Sequence, residues 1–352
     1  MKALILAGGK GTRLRPLTFS MAKQLAPVAN RPVLAHCLDT VREIGVTEVG
    51  LIVGDRSAEI QEAVGDGAGF GVSVTYIQQD LPLGLAHTVA IAADWLGDDD
   101  FVMYLGDNVF ADGIKDGAAA FEADRPDAQV LVAEVANPDQ FGVAELEADG
   151  TVRALVEKPR VPRSNLAVTG VYFFTPAVHE AVRSISPSAR GELEITDALQ
   201  YMVENGRTVT ATRYKGFWKD TGSVQDLLEC NRALLDRSVR DVRGSVDEHS
   251  EVSGSVVLSP DAVVRRSRLT GPLVIGAGTV VSDSFIGPGT SIGDGCQILG
   301  SRIESSIVLE GSRLHGVSDL RDSLIGRGVE VDGRAKASRL VLGDHAYAGV
   351  AL

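Results

Sequence analysis

ALILAGGKGTRLRP, residues 3–16, joins a short apolar run directly to a glycine-rich turn. The unbroken apolar run of residues 3–7 predicts a strand that is buried on both faces of a parallel sheet. Gly8, Gly9 and Gly11 carry no β-carbon, so the backbone after this strand can adopt unusual dihedral angles and bring its N–H groups close to phosphate oxygens. The stretch therefore predicts an α/β domain with a phosphate-binding loop after its first strand.

Two cations, Arg13 and Lys23, add positive charge to this loop. The spacing fits neither a Walker A loop nor the dinucleotide fingerprint, which needs a third glycine where Leu14 stands. A generic glycine turn is the remaining alternative. Prolines punctuate the segment from Pro16 to Pro32, so we expect loop or short turns there and a helix that begins near Pro32.

Composition limits the class of protein. At 352 residues the chain is longer than one hydrophobic core usually serves, so two domains are expected. A formal net charge of −13 argues against affinity for nucleic acid or anionic membranes, so any phosphate binding is local. No apolar run approaches a membrane span and no signal-peptide pattern opens the chain, so the expected location is cytoplasmic.

Cysteine and histidine give no sign of a zinc site or a disulfide framework. The three cysteines show no paired metal-ligand spacing, and the six histidines include no pair four residues apart. We expect the cysteines to be small buried apolar residues. They are Cys37, Cys230 and Cys296.

Two regions of the chain differ in hydrophobic period. Residues 1–237 alternate apolar strands with helical patterns, which is typical of an α/β domain. Strands are expected at Val49–Val53, Val72–Ile77, Phe101–Leu105, Val130–Val135 and Gly170–Phe174, and helices at Val33–Ile44, Leu85–Trp95 and Val224–Leu235.

Beyond a linker at 238–250, a six-residue repeat replaces the helical pattern and predicts a hexapeptide β-helix over 251–345, followed by a C-terminal tail at 346–352. The alternative is a strand-rich domain with coincidental spacing. The tail from Val341 could cap the last coil. The aliphatic residues in the repeat are Val274, Val280, Ile286, Ile292 and Ile298, with Val257, Val263 and Leu269 in an earlier register and Val308, Leu314 and Leu320 in a later one.

Seven short motifs follow one another along the first two-thirds of the chain. They are Leu6 to Pro16, Lys23-Gln24-Leu25, Gly84-Leu85-Ala86-His87, Leu105-Gly106-Asp107-Asn108, Phe141-Gly142-Val143, Glu157-Lys158-Pro159 and Trp218-Lys219-Asp220-Thr221-Gly222. In this order they resemble the sugar-1-phosphate nucleotidylyltransferases, and most closely the long-form branch that transfers thymidylyl groups to glucose 1-phosphate. The resemblance implies a Rossmann-like mixed sheet domain followed by a left-handed parallel β-helix.

The resemblance also implies the chemistry. The phosphate of glucose 1-phosphate would attack the α-phosphorus of dTTP, giving dTDP-glucose and pyrophosphate. Both substrates are anions, so the protein must offset their repulsion and align an in-line attack. Asp107, which follows a predicted strand, and Asp220 would hold Mg²⁺. Arg13, Lys23 and Lys158 would act on the phosphates, Arg13 at the β- and γ-phosphates.

Substrate recognition is carried over position by position. The amide of Gln79 offers one donor and one acceptor to the imide edge of thymine or uracil, and Gln24 points to dTTP rather than UTP. The expected nucleotide-binding residues are Leu6, Ala7, Gly8, Gly9, Gly11, Thr12, Arg13, Gln24, Gln79 and Gly84. The expected sugar-phosphate-binding residues are Asn108, Gly142, Glu157, Lys158, Val168 and Tyr172.

Alternatives stay open at this point. Lys219 and His87 depart from the short-form motifs, and UTP, GTP, ATP or another sugar phosphate could be the substrate. The β-helix could add acyltransferase activity, for which His315 is the one histidine well inside the repeats. A nucleotide-sensing subunit without activity is a third alternative. The expected partners are the two substrates and further copies of the chain, with no nucleic acid and no membrane.

Overall fold

The computed structural model describes residues 1–333 and 339–349. It divides the chain into two compact units. Unit 1 holds Met1–Gly9 and Leu34–Lys219, and unit 2 holds Lys10–Val33 and Asp220–Leu352. The units are therefore not consecutive stretches of sequence, because the glycine-rich loop from Lys10 onward groups with the C-terminal half of the chain.

Unit 1 is built on a nine-stranded mixed sheet, and a separate pair of short strands, β5 and β11, lies outside it. The strands are β1 (Lys2–Leu6), β2 (Glu48–Val53), β3 (Ser73–Gln78), β4 (Phe101–Leu105), β5 (Asn108–Phe110), β6 (Ala128–Glu134), β7 (Gly142–Leu146), β8 (Val152–Glu157), β9 (Leu166–Phe174), β10 (Val209–Arg213) and β11 (Trp218–Asp220). The sheet order is β8-β7-β9-β4-β1-β2-β3, and β6 pairs with β9 and β10.

The central strand β1 is the buried strand that the sequence predicts. It runs parallel to β2 and to β4, so Leu6 is in register with Ile52 on one side and with Leu105 on the other. Residues 3–6 are at most 8% exposed. Aliphatic side chains on both faces of β1 suit a parallel sheet that is covered by helices on both sides.

Strand β9 makes the sheet mixed, because it runs antiparallel to β4, β6 and β7. Its pairing with β6 shifts between Val168 and Tyr172, which is a β-bulge. Gly170 lies inside this bulge with a φ of +82°, and a β-carbon there would come 2.8 Å from Cδ1 of Leu105. The bulge therefore requires glycine.

Eight α-helices are described. They are α1 (Val33–Glu43), α2 (Ser57–Val64), α3 (Leu85–Ile91), α4 (Ala93–Leu96), α5 (Lys115–Asp124), α6 (Val178–Ser184), α7 (Ile195–Glu204) and α8 (Val224–Leu235). No helix in the described ranges is long and apolar enough to cross a membrane. Short 3₁₀ turns lie at Ala68–Phe70 and Pro138–Gln140.

The three helices expected from the sequence are present, but the one expected at 85–95 is divided. Ala92 separates α3 from α4. Its backbone N–H still donates to the carbonyl of Thr88 in α3. The sequence pattern left α2, α5, α6 and α7 unassigned. Five strands, β5, β7, β8, β10 and β11, were also not foreseen.

In unit 2, residues 10–33 form the loop and short turns that the prolines predict. Three 3₁₀ turns lie at Thr12–Leu14, Leu17–Phe19 and Lys23–Leu25, and a small hairpin pairs Pro27–Val28 with Arg31–Pro32.

The rest of unit 2 contains α8 and a left-handed parallel β-helix whose coils contribute strands to three parallel sheets. The first sheet holds Asp241–Val242, Val256–Leu258, Leu273–Ile275, Thr290–Ile292, Ile307–Val308, Leu324–Ile325 and Val341–Leu342. The second holds Ser245–Val246, Val263–Arg265, Val280–Ser282, Gln297–Leu299, Arg313–His315, Glu330–Asp332 and Tyr347–Gly349. The third holds Glu251–Ser253, Arg268–Thr270, Phe285–Ile286, Arg302–Glu304 and Leu320–Arg321.

The coils reach beyond the limits that the sequence suggested. Strands at Asp241–Val242 and Ser245–Val246 lie inside the expected linker 238–250, and Tyr347–Gly349 lies inside the expected tail 346–352. Residues 350–352 of that tail and 334–338 of the expected β-helix lie outside the described residues.

The six-residue repeat holds only in part, because neighbouring coils pair mostly at an offset of 17 residues, with 16 or 18 in places. One corner of a coil is therefore a residue shorter than a strict repeat requires. Val274 and Val280 lie outside the interior cluster of the β-helix, which contains the next residues, Ile275 and Val281, although Val274 is itself buried. The same shift puts Val257 and Val263 outside the core, whereas Leu269, Ile286, Ile292, Ile298, Val308, Leu314 and Leu320 are core residues as predicted.

A ladder of buried serines follows the 17-residue offset. Ser267 accepts a hydrogen bond from the backbone N–H of Ser284 at 3.1 Å, and Ser284 accepts one from that of Ser301 at 3.0 Å. The hydroxyl of Ser301 in turn accepts from the N–H of Val317. Each serine therefore satisfies a backbone donor of the next coil that cannot reach water.

We expect Ser284→Ala to destabilise the β-helix by about 1–3 kcal/mol, because the N–H of Ser301 would lose its acceptor while buried. Urea unfolding followed by circular dichroism measures the change. Ser259→Ala is the control, since Ser259 is only half-buried and its hydroxyl has no hydrogen bond in the described ranges. Equal stability of the two variants would contradict the ladder's role.

Candidate active site

The glycine turn of unit 1 begins where β1 leaves the sheet. The N–H of Ala7 donates to the carbonyl of Ile52 at 2.8 Å, and the carbonyl of Leu6 accepts from the N–H of Gly106 at 2.9 Å. A β-carbon on Gly8 would lie 3.3 Å from Oε1 of Gln79. The structure thus brings together Gly8 and Gln79, two of the residues predicted to bind the nucleotide.

The amide of Gln79 is fixed by His87. Nε2 of Gln79 lies 3.2 Å from Nδ1 of His87, and an amide nitrogen can only donate, so Nδ1 is the acceptor of this hydrogen bond. One amide N–H and the carbonyl Oε1 of Gln79 remain for a ligand. His87, noted in the sequence only as a departure from the short-form motif, is therefore a neighbour that orients the amide.

Gly84 has a structural reason to be glycine. Its φ is +107°, and a β-carbon there would lie 2.4 Å from the carbonyl oxygen of Leu193. The carbonyl of Leu193 accepts a hydrogen bond from the N–H of Ala86, and the N–H of Leu193 donates one to the carbonyl of Leu83. This close approach fixes the start of α3, which carries His87.

Asp107 follows β4, at the carboxyl edge of the sheet, as predicted. Its Oδ1 accepts a hydrogen bond from Nδ2 of Asn108 at 2.8 Å. Asn108 is 2% exposed, and its Oδ1 accepts from Nε1 of Trp218 at 2.7 Å. Trp218 also packs edge-on against Phe141, with ring centroids 5.5 Å apart. The carboxylate is thus held by the buried Asn108, whose amide is in turn held by the half-buried Trp218.

Two residues predicted to bind the sugar phosphate, Glu157 and Val168, lie beside a third, Gly142. A β-carbon on Gly142 would lie 3.1 Å from Oε2 of Glu157 and 3.8 Å from Cγ2 of Val168. The same β-carbon would be 2.7 Å from Cγ2 of Thr196, whose hydroxyl donates to Glu157. Arg190 lies 3.4 Å from the other carboxylate oxygen. Glycine at 142 therefore lets Thr196 and the oriented carboxylate of Glu157 pack directly against the backbone.

Tyr172 is buried in the same unit. Burial, and after it the negative charge of Glu157, raises the pKa of Tyr172 far above its usual value. The phenol therefore stays protonated and is a hydrogen-bond donor, not a base.

Lys158 directly follows β8, in a left-handed conformation with a φ of +42°. A left-handed lysine is uncommon and costs about 1 kcal/mol or more. The conformation is held by the hydrogen bond from its N–H to the carbonyl of Phe141 at 3.0 Å. Its ammonium lies 3.8 Å from Glu157 and remains half exposed.

In unit 2, the loop around Gly11 is closely packed. A β-carbon on Gly11 would lie 2.8 Å from Cβ of Lys23, and its carbonyl accepts from the hydroxyl of Thr18 at 2.7 Å. Lys23 is only 7% exposed. Gln24 is 2% exposed, and its Oε1 has no hydrogen-bond partner among the described residues. A buried amide oxygen without a partner calls for an explanation, and a bound ligand is one.

Arg13 lies against the segment that contains Asp220. Nη2 of Arg13 is 4.0 Å from the carboxylate of Asp220, and a β-carbon on Gly222 would lie 2.9 Å from the same Nη2. The guanidinium is mostly exposed. Gly222 has no positive φ, so the reason for glycine here is the space that the guanidinium occupies.

The predicted metal ligands fall in different units, Asp107 in unit 1 and Asp220 in unit 2. Residues 1–333 and 339–349 contain no group of three or more histidine, cysteine, aspartate or glutamate side chains that could hold a metal by themselves. Carboxylate oxygens suit a hard divalent cation, and such an ion takes its remaining ligands from substrate phosphates and water. The two aspartates fit that donor set, and their joint role stays a prediction.

Sequence reasoning missed several neighbours of these residues. Thr196 and Arg190 gave no signal, since neither belongs to a recognisable motif. Trp218 and Gly222 stood inside a quoted motif, where their contacts with Asn108 and Arg13 could not be read from spacing alone.

The chain is similar to known proteins over nearly its whole length. The family model for nucleotidyl transferase matches residues 2–237. A glucose-1-phosphate thymidylyltransferase of Streptomyces antibioticus is 55% identical over 98% of both chains, and one of Streptomyces griseus is 52% identical over 99% of both. A crystal structure from Bacillus anthracis, described as that of a candidate glucose-1-phosphate thymidylyltransferase in complex with a sucrose, superposes with a TM-score of 0.63 at 35% identity.

That solved chain is covered over 98% of its length but matches only 68% of this one. The two Streptomyces enzymes, in contrast, match from end to end. The chain therefore belongs to the nucleotidyl transferase family, as a long-form member in which a β-helix follows the matched domain.

Proposed function

We propose that the chain transfers a thymidylyl group from dTTP to glucose 1-phosphate, giving dTDP-glucose and pyrophosphate. The observation that carries this proposal is end-to-end similarity, at 55% and 52% identity, to two enzymes named for that reaction. The catalytic part would be residues 1–237, and the family model ends at the same residue.

Recognition of the base would fall to Gln79. With one amide proton given to His87, the remaining N–H and Oε1 form a donor and acceptor pair that complements the imide edge of thymine. Gly8 would let the base and the phosphates approach the backbone, together with Leu6, Ala7, Gly9, Gly11 and Thr12. The orphaned Oε1 of Gln24 would accept a hydrogen bond from the nucleotide.

The phosphates would be bound by three cations. Arg13 offers a planar fork to the β- and γ-phosphates, where negative charge grows as pyrophosphate leaves. Lys23, buried against Gly11, offers a positive charge with little freedom to move. Lys158, on its left-handed turn, would hold the phosphate of the sugar in line with the α-phosphorus.

The sugar would lie beside Gly142. Glu157 is oriented by Thr196 and Arg190 and can accept hydrogen bonds from hydroxyl groups, while Val168 and the protonated Tyr172 line the same space. Nδ2 of Asn108 donates one hydrogen bond to Asp107. Its second amide N–H would be the donor to the sugar phosphate. These contacts support a small polyol as the acceptor.

Asp107 and Asp220 would hold the divalent cation, which we propose to be Mg²⁺. Bound there, the ion would neutralise phosphate charge and stabilise the leaving oxygen. The part played by the chain is to hold Asp107 through Asn108 and Trp218, so that the carboxylate needs no reorganisation when the ion and the nucleotide arrive.

The competing functions gain no support from the two Streptomyces relatives, both of which are named thymidylyltransferases. His315, the residue on which an acyltransferase would depend, lies on a strand of the second β-helix sheet and its Nε2 is buried without a partner among the described residues. Assembly into a homo-oligomer and a cytoplasmic location stay predictions.

A nucleotide panel tests the reaction itself. With glucose 1-phosphate and Mg²⁺, we expect pyrophosphate release to be fastest with dTTP and about tenfold or more slower with UTP, because a thymine methyl is a small apolar contact. ATP and GTP should be slower still, since purines do not present an imide edge of that shape. Faster release with a purine nucleotide, or none with any nucleotide, would refute the assignment.

Asp107→Asn and Asp220→Asn should each lower kcat at least about 100-fold, because each removes a charge that the cation needs while keeping the side-chain shape. Thermal unfolding should be nearly unchanged. Asp124→Asn, at an exposed position, is the control. Titration of activity with Mg²⁺ should show a raised requirement in the two variants, and a wild-type curve in either would remove that residue from the metal site.

Gly222→Ala should displace the guanidinium of Arg13, since its methyl group would lie 2.9 Å from Nη2. We expect kcat/KM for dTTP to fall about tenfold or more, with little loss of stability because an arginine tip can move. Gly69→Ala is the control, because a β-carbon at Gly69 meets nothing within 4 Å.

In an Arg13→Ala background, Gly222→Ala should have little further effect on kcat/KM. Additive losses would show that Gly222 acts through some other contact.

A further inference from the structure

The last described coil of the β-helix touches the loop that carries Arg13 and Lys23. Both belong to unit 2, so the contact lies within one compact body. The hydroxyl of Ser20 donates to Oδ2 of Asp344 at 2.8 Å, and Nη2 of Arg327 donates to the carbonyl of Ser20 at 3.0 Å. Both the side chain and the backbone of Ser20 are thus held by the β-helix.

Asp344 is itself firmly placed. Its side chain is 3% exposed, and it accepts hydrogen bonds from the backbone N–H of Arg327 at 2.8 Å and from Nε of Arg327 at 2.6 Å. Burial disfavours the charged form, but the hydrogen bonds from Arg327 and Ser20 outweigh it and lower the pKa of Asp344. The carboxylate therefore stays ionised, and it stabilises the position of Ser20.

A second contact lies next to the first. A β-carbon on Gly343 would lie 3.1 Å from Cβ of Pro16. The backbone at Gly343 thus packs directly on the proline ring. Pro16 follows Arg13 by three residues, and Ser20 precedes Lys23 by three, so the β-helix contacts the loop between its two cations.

Contacts within the loop connect Ser20 and Pro16 to the two cations. The hydroxyl of Thr18 bonds to the carbonyl of Gly11, and Gly11 lies against Lys23. Farther along, the buried Asn231 of α8 accepts from the N–H of Ala29 and donates to the carbonyl of Gly289 in the β-helix. The end of the loop is therefore fixed to the same body.

We propose that Asp344 and Arg327 are positioning residues for the nucleotide site: by holding Ser20, with Gly343 packed on Pro16, they set the backbone from which Arg13 and Lys23 reach the phosphates. The inference rests on the proposed function, in which those two cations bind dTTP. It gives the β-helix a part in the transferase reaction itself, although no residue of the β-helix need touch a substrate.

The chain offers a closely matched control for Asp344. Asp294 occupies the same kind of turn on an earlier coil, and its Oδ1 accepts from the backbone N–H of Ala277 at 2.7 Å, as Asp344 accepts from that of Arg327. Both bonds join residues 17 apart. Asp294 makes no hydrogen bond to residues 10–33 in the described ranges, so only Asp344 combines the turn with a contact to the loop.

The experiment compares Asp344→Ala with Asp294→Ala in the full-length chain. We expect Asp344→Ala to lower kcat/KM for dTTP about tenfold or more, while the KM for glucose 1-phosphate changes much less. Asp294→Ala should stay within about twofold of wild type at a similar loss of thermal stability. Asp344→Asn, which keeps an oxygen acceptor for Ser20, should recover part of the activity.

Two further measurements separate positioning from general destabilisation. Ser20→Ala and Asp344→Ala should be non-additive in kcat/KM, since both remove the same contact. Hydrogen exchange should rise in peptides from residues 10–33 in Asp344→Ala and not in Asp294→Ala. Equal kinetics of the two aspartate variants, additive losses with Ser20→Ala, or unchanged exchange in the loop would each overturn the proposal.

A wild-type chain that releases no pyrophosphate would instead refute the proposed function. The exchange comparison would then still decide whether Asp344 orders the loop, since it needs no substrate. The two failures are therefore distinguishable.

Discussion

The burial of β1 between two parallel neighbours is the constraint on which unit 1 depends. Every backbone group of this strand must find its partner in β2 or β4, since no water reaches it. The chain must leave the sheet at the end of β1 while Gly106 leaves β4 beside it, and a β-carbon on Gly106 would lie 2.8 Å from the carbonyl oxygen of Leu6. Because the two backbones leave the sheet side by side, Gly8 and Asp107 lie at the same edge of it.

Near that edge, the side chains that we assign to substrates and the cation share one property: each accepts a hydrogen bond from, or donates one to, a neighbouring side chain that fixes its orientation. His87 fixes the amide of Gln79, Asn108 fixes Asp107, and Thr196 fixes Glu157. Such groups need little reorganisation when charge develops, which is the main way that a site without a nucleophile accelerates phosphoryl transfer. The net charge of −13 gives the chain no general positive field, so any attraction for phosphate must be local.

Much of this was readable from the sequence, for reasons that can be named. The apolar run before Gly8 and the aliphatic repeat after residue 250 are periodic signals of burial, and they predict β1 and the β-helix correctly. The coil length was not readable, because a step of five and a step of six look alike over a few residues, and so Val274 and Val280 were misassigned in place of Ile275 and Val281. Contacts between distant segments, such as Ser20 with Asp344, carry no local pattern at all.

The stacking of coils has a consequence for how long this chain can be. Adjacent coils in a parallel stack are about 4.8 Å apart, and the serine ladder would accept an extra 17-residue coil or the loss of one without harm to its own bonds. Either change would move Asp344 by about 4.8 Å relative to Ser20. Oδ2 of Asp344 now lies 2.8 Å from the hydroxyl of Ser20, so the hydrogen bond would be lost. The number of coils in the β-helix is therefore limited by the contact that Asp344 makes with Ser20 inside unit 2.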